Sequence, residues 1–133
     1  MYESCDVKRY FEDKDRYAFL IKVGNELAGF SLIHKNGISP TTYWNMGEFY
    51  IIAKYQNQGV GKKAAHQIWR QFPGHWEVTV IPENTPALAF WRRSISNFTD
   101  KQYTEEIKNV YPNTHQPNRY VLSFKSIENI LGE

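Results

Sequence analysis

The spacing of apolar residues changes period near the middle of the chain, and the change falls across two glycines. Tyr43 to Ala53 is dense in aromatic and β-branched residues and reads as a strand. From Gly59 to Phe72 the apolar positions are Val60, Ala64, Ala65, Ile68, Trp69 and Phe72. At about 100° per residue these fall in one half of a helix circumference. Lys62, Lys63, His66, Gln67, Arg70 and Gln71 take most of the other half. The pattern predicts an amphipathic helix, stopped by Pro73-Gly74. A strand feeding such a helix through Gln56-Asn57-Gln58-Gly59-Val60-Gly61 points to an α/β arrangement.

The flanking segments extend that order. Val7, Tyr10 and Phe11 predict a short helix at the start, and Glu12 to Arg16 a turn. Tyr17–Val23 and Leu27–His34 are β-rich and flank Gly24-Asn25, which signals a hairpin. Lys35 to Thr42 is a loop. Trp76–Ile81 is the next strand. Asn84-Thr85-Pro86 opens a second helix, with Ala87, Leu88, Phe90, Trp91 and Ile95 on its apolar side. Tyr103–Val110 and Tyr120–Phe124 read as strands around a loop at Tyr111 to Asn118. The order β-β-β-α-β-α-β-β describes a mixed sheet flanked by helices, an α/β (α+β) fold. At 133 residues it forms a single domain, 1–133.

Composition excludes several classes. The net charge is only +2 and the basic residues are scattered, which argues against nucleic acid as the main partner. No stretch approaches the ~20 apolar residues of a membrane helix, and the first ten residues are not a signal peptide. The single cysteine, Cys5, makes no internal disulfide and has no metal-ligand spacing, so a reducing, cytoplasmic setting is expected. No His or Asp partner marks it as a nucleophile.

The loop before the first long helix carries chemistry. A helix start leaves backbone N–H groups unpaired and bears about half a positive charge. Gly59 and Gly61 remove Cβ atoms that would block a ligand from that backbone. Lys62 and Lys63 sit in the first turn, where a bound anion would offset their conflict with the helix dipole. These features describe a diphosphate cradle. The spacing is neither that of a P-loop nor that of the dinucleotide fingerprint. The loop alone is equally compatible with a turn that uses its glycines for packing.

Gln56-x-x-Gly59-x-Gly61 resembles the Gln/Arg-x-x-Gly-x-Gly/Ala motif of GNAT acetyltransferases. Asn84-x-x-Ala87-x-x-Phe90-Trp91 resembles that family's Asn-x-x-Ala-x-x-Phe-Tyr segment, and Glu48-Phe49-Tyr50-Ile51 its fourth strand. The resemblance implies a mostly antiparallel sheet splayed between its fourth and fifth strands, here Tyr43–Ala53 and Trp76–Ile81. It implies acetyl-CoA in the splay, with the pantetheine arm along Ile51, Ile52 and Ala53. Gln56 and the N–H groups of Gln58, Gly59, Val60, Gly61 and Lys62 would take the pyrophosphate. Asn84, Phe90 and Trp91 would lie beside the cofactor, although Asn84 also suits a helix N-cap. The family begins with a strand and one or two helices before its first hairpin. Few residues precede Tyr17, so the first strand and helix are expected to be missing or much reduced.

The implied reaction is attack by a primary amine, of a small molecule or a protein, on a thioester. An aliphatic amine with a pKa near 10.4 is only about one part in a thousand neutral at physiological pH, roughly 4 kcal/mol of barrier. Glu48 is the candidate base, with a solvent-facing strand carboxylate as the alternative. His34 titrates in the needed range, but its strand-end position suits a surface role better. Trp91 stands where the family has tyrosine, and indole does not supply a proton near neutrality. Tyr103 is a weak candidate acid, beside Tyr50 and water. Tyr43 and Trp44 suit either the acceptor pocket or the core. A catalytically silent acyl-CoA-binding module is the alternative function. The family also suggests a homodimer.

Overall fold

The computed structural model describes residues 5–35, 38 and 42–127. Among these residues seven strands form one sheet: β1 (Cys5–Glu12), β2 (Arg16–Val23), β3 (Glu26–His34), β4 (Trp44–Ile51), β5 (Gly74–Val80), β6 (Tyr103–Asn109) and β7 (Asn118–Ser126). Helices α1 (Val60–Gln71) and α2 (Thr85–Thr99) follow β4 and β5, and a 3-10 turn at Ala53–Tyr55 precedes α1. The sheet order is β1-β2-β3-β4-β5-β7-β6. All neighbours are antiparallel except β4 and β5.

Two segments depart from the sequence reading. The expected starting helix is β1. The spacing of Val7, Tyr10 and Phe11 suits a helical face, but β2 offers a free edge, and pairing with it prevails. The strand then presents Cys5 and Val7, two residues apart, towards the interior. A first strand is therefore present, and β1 reaches β2 through a short turn where Asp13 pairs with Arg16. The third expected strand ends earlier than Ala53, which instead enters the 3-10 turn. Residues 36–37 and 39–41 of the expected loop at Lys35 to Thr42 lie outside the described residues.

Both helices pack on one face of the sheet. Ala65, Ile68 and Trp69 of α1 and Leu88, Trp91 and Ile95 of α2 share a core with Phe19, Ile33, Trp44, Trp76, Val78 and Phe124. Trp69 is fully buried, with ring contacts to Trp76, Trp91, Phe98 and Phe124. Each large buried ring contributes on the order of 2–3 kcal/mol by area alone.

The sheet is forked. β4 and β5 pair only at Trp44↔Trp76 and Asn45↔Glu77, and beyond these two pairs no ladder joins them. The Glu77 side chain is fully buried at the fork root. Its carboxylate accepts from Asn45 Nδ2 at 3.0 Å, Thr42 Oγ1 at 3.0 Å and the Ile38 N–H at 2.7 Å. A buried carboxylate persists only with such partners. Glu77 thus ties β5 to β4 and to the segment before β4. The substitution Glu77→Ala strands the buried Asn45 amide, and a loss of about 3 kcal/mol is expected in urea unfolding.

Candidate active site

On the helix side of the fork lies a cleft of about 710 Å³. Phe49 and Ile51 of β4 form one wall, and Pro86, Ala87, Phe90, Trp91, Arg93, Ser94 and Asn97 of α2 the other. Tyr55, Gln56, Asn57, Gly59, Gly61 and Lys62 close one end. Aromatic packing holds the walls. Phe49 stacks on Phe90 at 6.0 Å and meets Trp91 edge-on at 5.1 Å.

The α1 start opens into this cleft because of its sequence. Gly59 is the N-cap, with φ of 81°, a left-handed conformation that glycine adopts without strain. It offers no side chain, so no side-chain cap satisfies the first N–H groups. The first turn holds no acidic residue. The Lys63 N–H already bonds the Gly59 carbonyl, so Val60, Gly61 and Lys62 carry the N–H groups without a partner one turn back. Gly61 is needed for space: a Cβ there would come within 3.0 Å of the Phe90 ring. Gln56 and Gln58 brace the loop, donating from Nε2 to the carbonyls of Ile51 and Lys54, each at 2.8 Å.

The structure brings together seven of the candidate cofactor residues: Ile51, Gln56, Gly59, Gly61, Lys62, Phe90 and Trp91 line the cleft. Ile52, Ala53, Gln58, Val60 and Asn84 do not. Ile52 donates its N–H to the Ala28 carbonyl, and Val60 is buried under the loop. Asn84 caps α2, its Oδ1 accepting from the Ala87 N–H at 3.2 Å. Glu48 lies one residue from the cleft wall and is exposed on the opposite sheet face. Tyr103 begins β6 and packs against the core, separated from β5 by β7. Trp44 is buried in the core, whereas Tyr43 is 55% exposed. Cys5 is buried beside α1, and burial pushes its thiol pKa up.

Several cleft residues escaped the sequence reading. Arg93, Ser94 and Asn97 follow the expected Phe90 at three- and four-residue steps along α2, so helical periodicity would have grouped them with it. Arg93 adds a cation opposite Lys62. His34 is not a surface residue. It is half-buried, its ring lies against Gly47, the unpaired bulge residue of β4, and its Nδ1 is buried without a hydrogen-bond partner. His66 bridges the helices, with Nε2 2.9 Å from the Ser94 carbonyl. Burial holds its pKa below the ordinary histidine value, with Arg70 and Lys62 adding to the effect.

A family model for the acetyltransferase (GNAT) family matches residues 1–95. The chain belongs to the GNAT acetyltransferase family. Its fold agrees with solved members. An acetyltransferase from Bacillus subtilis, in complex with CoA, superposes with a TM-score of 0.69 at 10% identity, covering 92% of this chain and 99% of that one. A protein assigned as a streptothricin acetyltransferase from Bacillus anthracis, in complex with acetyl coenzyme A, gives 0.65 at 15% identity. That match covers 87% of this chain and 65% of the other. The ribosomal-protein-S18-alanine N-acetyltransferase from Escherichia coli gives 0.61 at 15% identity, covering 92% and 76%. No curated protein matches the chain. No helix among the described residues is long and apolar enough to cross a membrane.

Two outcomes are expected. Gly61→Val fills the space against Phe90 and narrows the α1 start. Because position 61 is buried, overpacking of about 1–3 kcal/mol should also lower Tm. For His66, the folded-state pKa lies below the unfolded value, so the unfolded chain takes up the proton first. Stability is then fully present above the unfolded pKa, about 6.5, and falls as pH drops below it. Urea midpoints between about pH 8 and pH 5 should fall more steeply for the wild type than for His66→Gln.

Proposed function

We propose that this chain transfers an acetyl group from acetyl-CoA to a primary amine. The observation that carries the reading is the uncapped α1 start, opening into a cleft that continues into the fork. The cleft fits the cofactor. The N–H groups of Gly61 and Lys62 and the cations Lys62 and Arg93 suit its phosphates. Phe49, Ile51, Phe90 and Trp91 offer an apolar lining for the pantetheine arm. Bound there, acetyl-CoA supplies an acetyl group already activated as a thioester. Starting from the ammonium form of the acceptor, the balanced outcome is one new C–N bond, one broken C–S bond, one proton on the CoA thiol and one proton released.

Glu48 is the residue that takes the proton from the acceptor. It sits at the bulge of β4, where Leu32 pairs with Glu48 and Ile33 with Met46, and it is exposed on the face away from the cofactor cleft. Glu48 lies beyond the last β4–β5 pair, so an amine arriving from that face meets the carboxylate and attacks the thioester through the fork. Water is the better proton donor for the leaving thiolate, because Trp91 lacks an acidic proton and Tyr103 lies two strands from the fork. The chain works in the cytoplasm, without nucleic acid or membrane as partner.

A second reading has one observation in its favour. Trp91 is packed into the core where an acid would be expected, which suits an acyl-CoA-binding module without turnover. Thermal shift with saturating acetyl-CoA tests the cofactor site. A rise in Tm on the order of 5–10 °C is expected for wild type, and much less for Gly61→Val. Thiol release with an amine panel separates transferase from silent module. Glu48→Gln should cost about 10²–10⁴ in kcat/KM with unchanged acetyl-CoA affinity. Cofactor binding with no turnover, and no effect of Glu48→Gln, would support the module.

A further inference from the structure

The face of β1–β4 turned away from the helices is not built like a water-washed sheet. An antiparallel sheet with one wet face alternates apolar and polar residues along each strand. On β3, Ser31 and Ile33 point to the buried face, yet the outward positions are Phe30 and Leu32, each 41% exposed. Register continues the pattern sideways. Phe30 pairs with Leu20 and with Tyr50, which is 49% exposed, and the Phe30 and Tyr50 rings lie 6.0 Å apart. Leu32 pairs with Ala18 on one side and Glu48 on the other. Ala18 in turn pairs with Phe11, which is 52% exposed. An apolar strip therefore crosses four strands and ends at Glu48. Such a contiguous exposed patch marks an interaction surface.

β4 separates this strip from the cofactor cleft. Phe49 and Ile51 face the cleft, while Glu48 and Tyr50 face the strip. We propose that the strip seats the acceptor, and that the acceptor is a polypeptide whose amine is flanked by apolar side chains. The proposal rests on the transferase reading above and names its substrate class. Shape favours a polypeptide. Small ligands bind in concave sites that bury most of their surface, whereas a sheet face touches its partner on one side only. The strip spans three strand spacings, about 14 Å, the length of about four extended residues. Charge disfavours a polycation. Lys8 lies opposite Leu20 and Lys22 opposite Asp6 on this face, so its carboxylates, Asp6 and Glu48, are matched by two lysines and form no acidic cradle.

The test uses the whole chain and a thiol-release assay with acetyl-CoA. The acceptors are peptides whose α-amine or lysyl amine is flanked by Leu and Phe, matched peptides flanked by Lys, and two small amines, phenethylamine and spermidine. Apolar-flanked peptides should exceed the others in kcat/KM by about tenfold or more, the scale of one well-buried apolar side chain. Leu32→Lys and Phe30→Lys change outward positions, so Tm and acetyl-CoA affinity should hold while KM for the preferred peptide rises about tenfold. Preference for a small amine or a Lys-flanked peptide overturns the proposal. So does an unchanged KM in both variants, or turnover of no acceptor with cofactor bound. A wild-type dimer in sedimentation that Leu32→Lys dissociates would assign the strip to a second copy instead, and also overturns it. Failure of the wild type to bind acetyl-CoA would sink the transferase reading itself.

Discussion

Two residue pairs and one buried carboxylate hold β4 against β5, and everything functional follows from where that contact stops. Glu77 draws donors from Asn45, Thr42 and Ile38 to one point at the fork root. Above that point the strands part, and the Phe49, Phe90 and Trp91 rings pack between β4 and α2. Were the ladder to continue, the β4 edge would be spent on β5. Because it stops, that edge faces a cleft, and an extended ligand can take the place of a strand partner.

The loop into α1 meets several demands at once. Gly59 turns the chain into the helix with a positive φ, and Gly61 lets Phe90 approach closely enough to wall the cleft. The amphipathic body of α1 then anchors this start to the core through Ala65, Ile68 and Trp69. A site at a helix start is only as precise as the packing of its helix. His66 adds a cross-tie to Ser94 between the two helices that shape the cleft.

Much of this was legible in the sequence, for physical reasons that differ by element. α1 was readable to within a residue because twelve residues at a 3.6 period admit one inward face. The β2–β3 hairpin was readable from its turn. β1 was not, since an eight-residue strand whose outer half is exposed takes its conformation from its neighbour rather than from its own pattern. The glycine loop was readable as a strand-to-helix turn whose helix start has no side-chain cap, while Arg93 and Asn97 carry no apolar signal and stay hidden in a pattern of apolar spacing. Tyr103 illustrates what spacing does not reveal. β7 inserts between β5 and β6, so sequence nearness to α2 does not bring that ring to the fork. The face taken by Glu48 depends on the Gly47 bulge, which shifts the register by one residue.

The central claim is that the α1 start and the open edge of β4 together hold the cofactor. Backbone amide resonances followed during titration with acetyl-CoA test it most directly. The largest shifts should fall on Gly59 to Lys62 and on Phe49 to Ile51, with a smaller set on α2 near Phe90 and Arg93, while β6 and β1 stay unmoved. Saturable binding whose shifts leave Gly59 to Lys62 untouched, or no binding at millimolar cofactor, would contradict it.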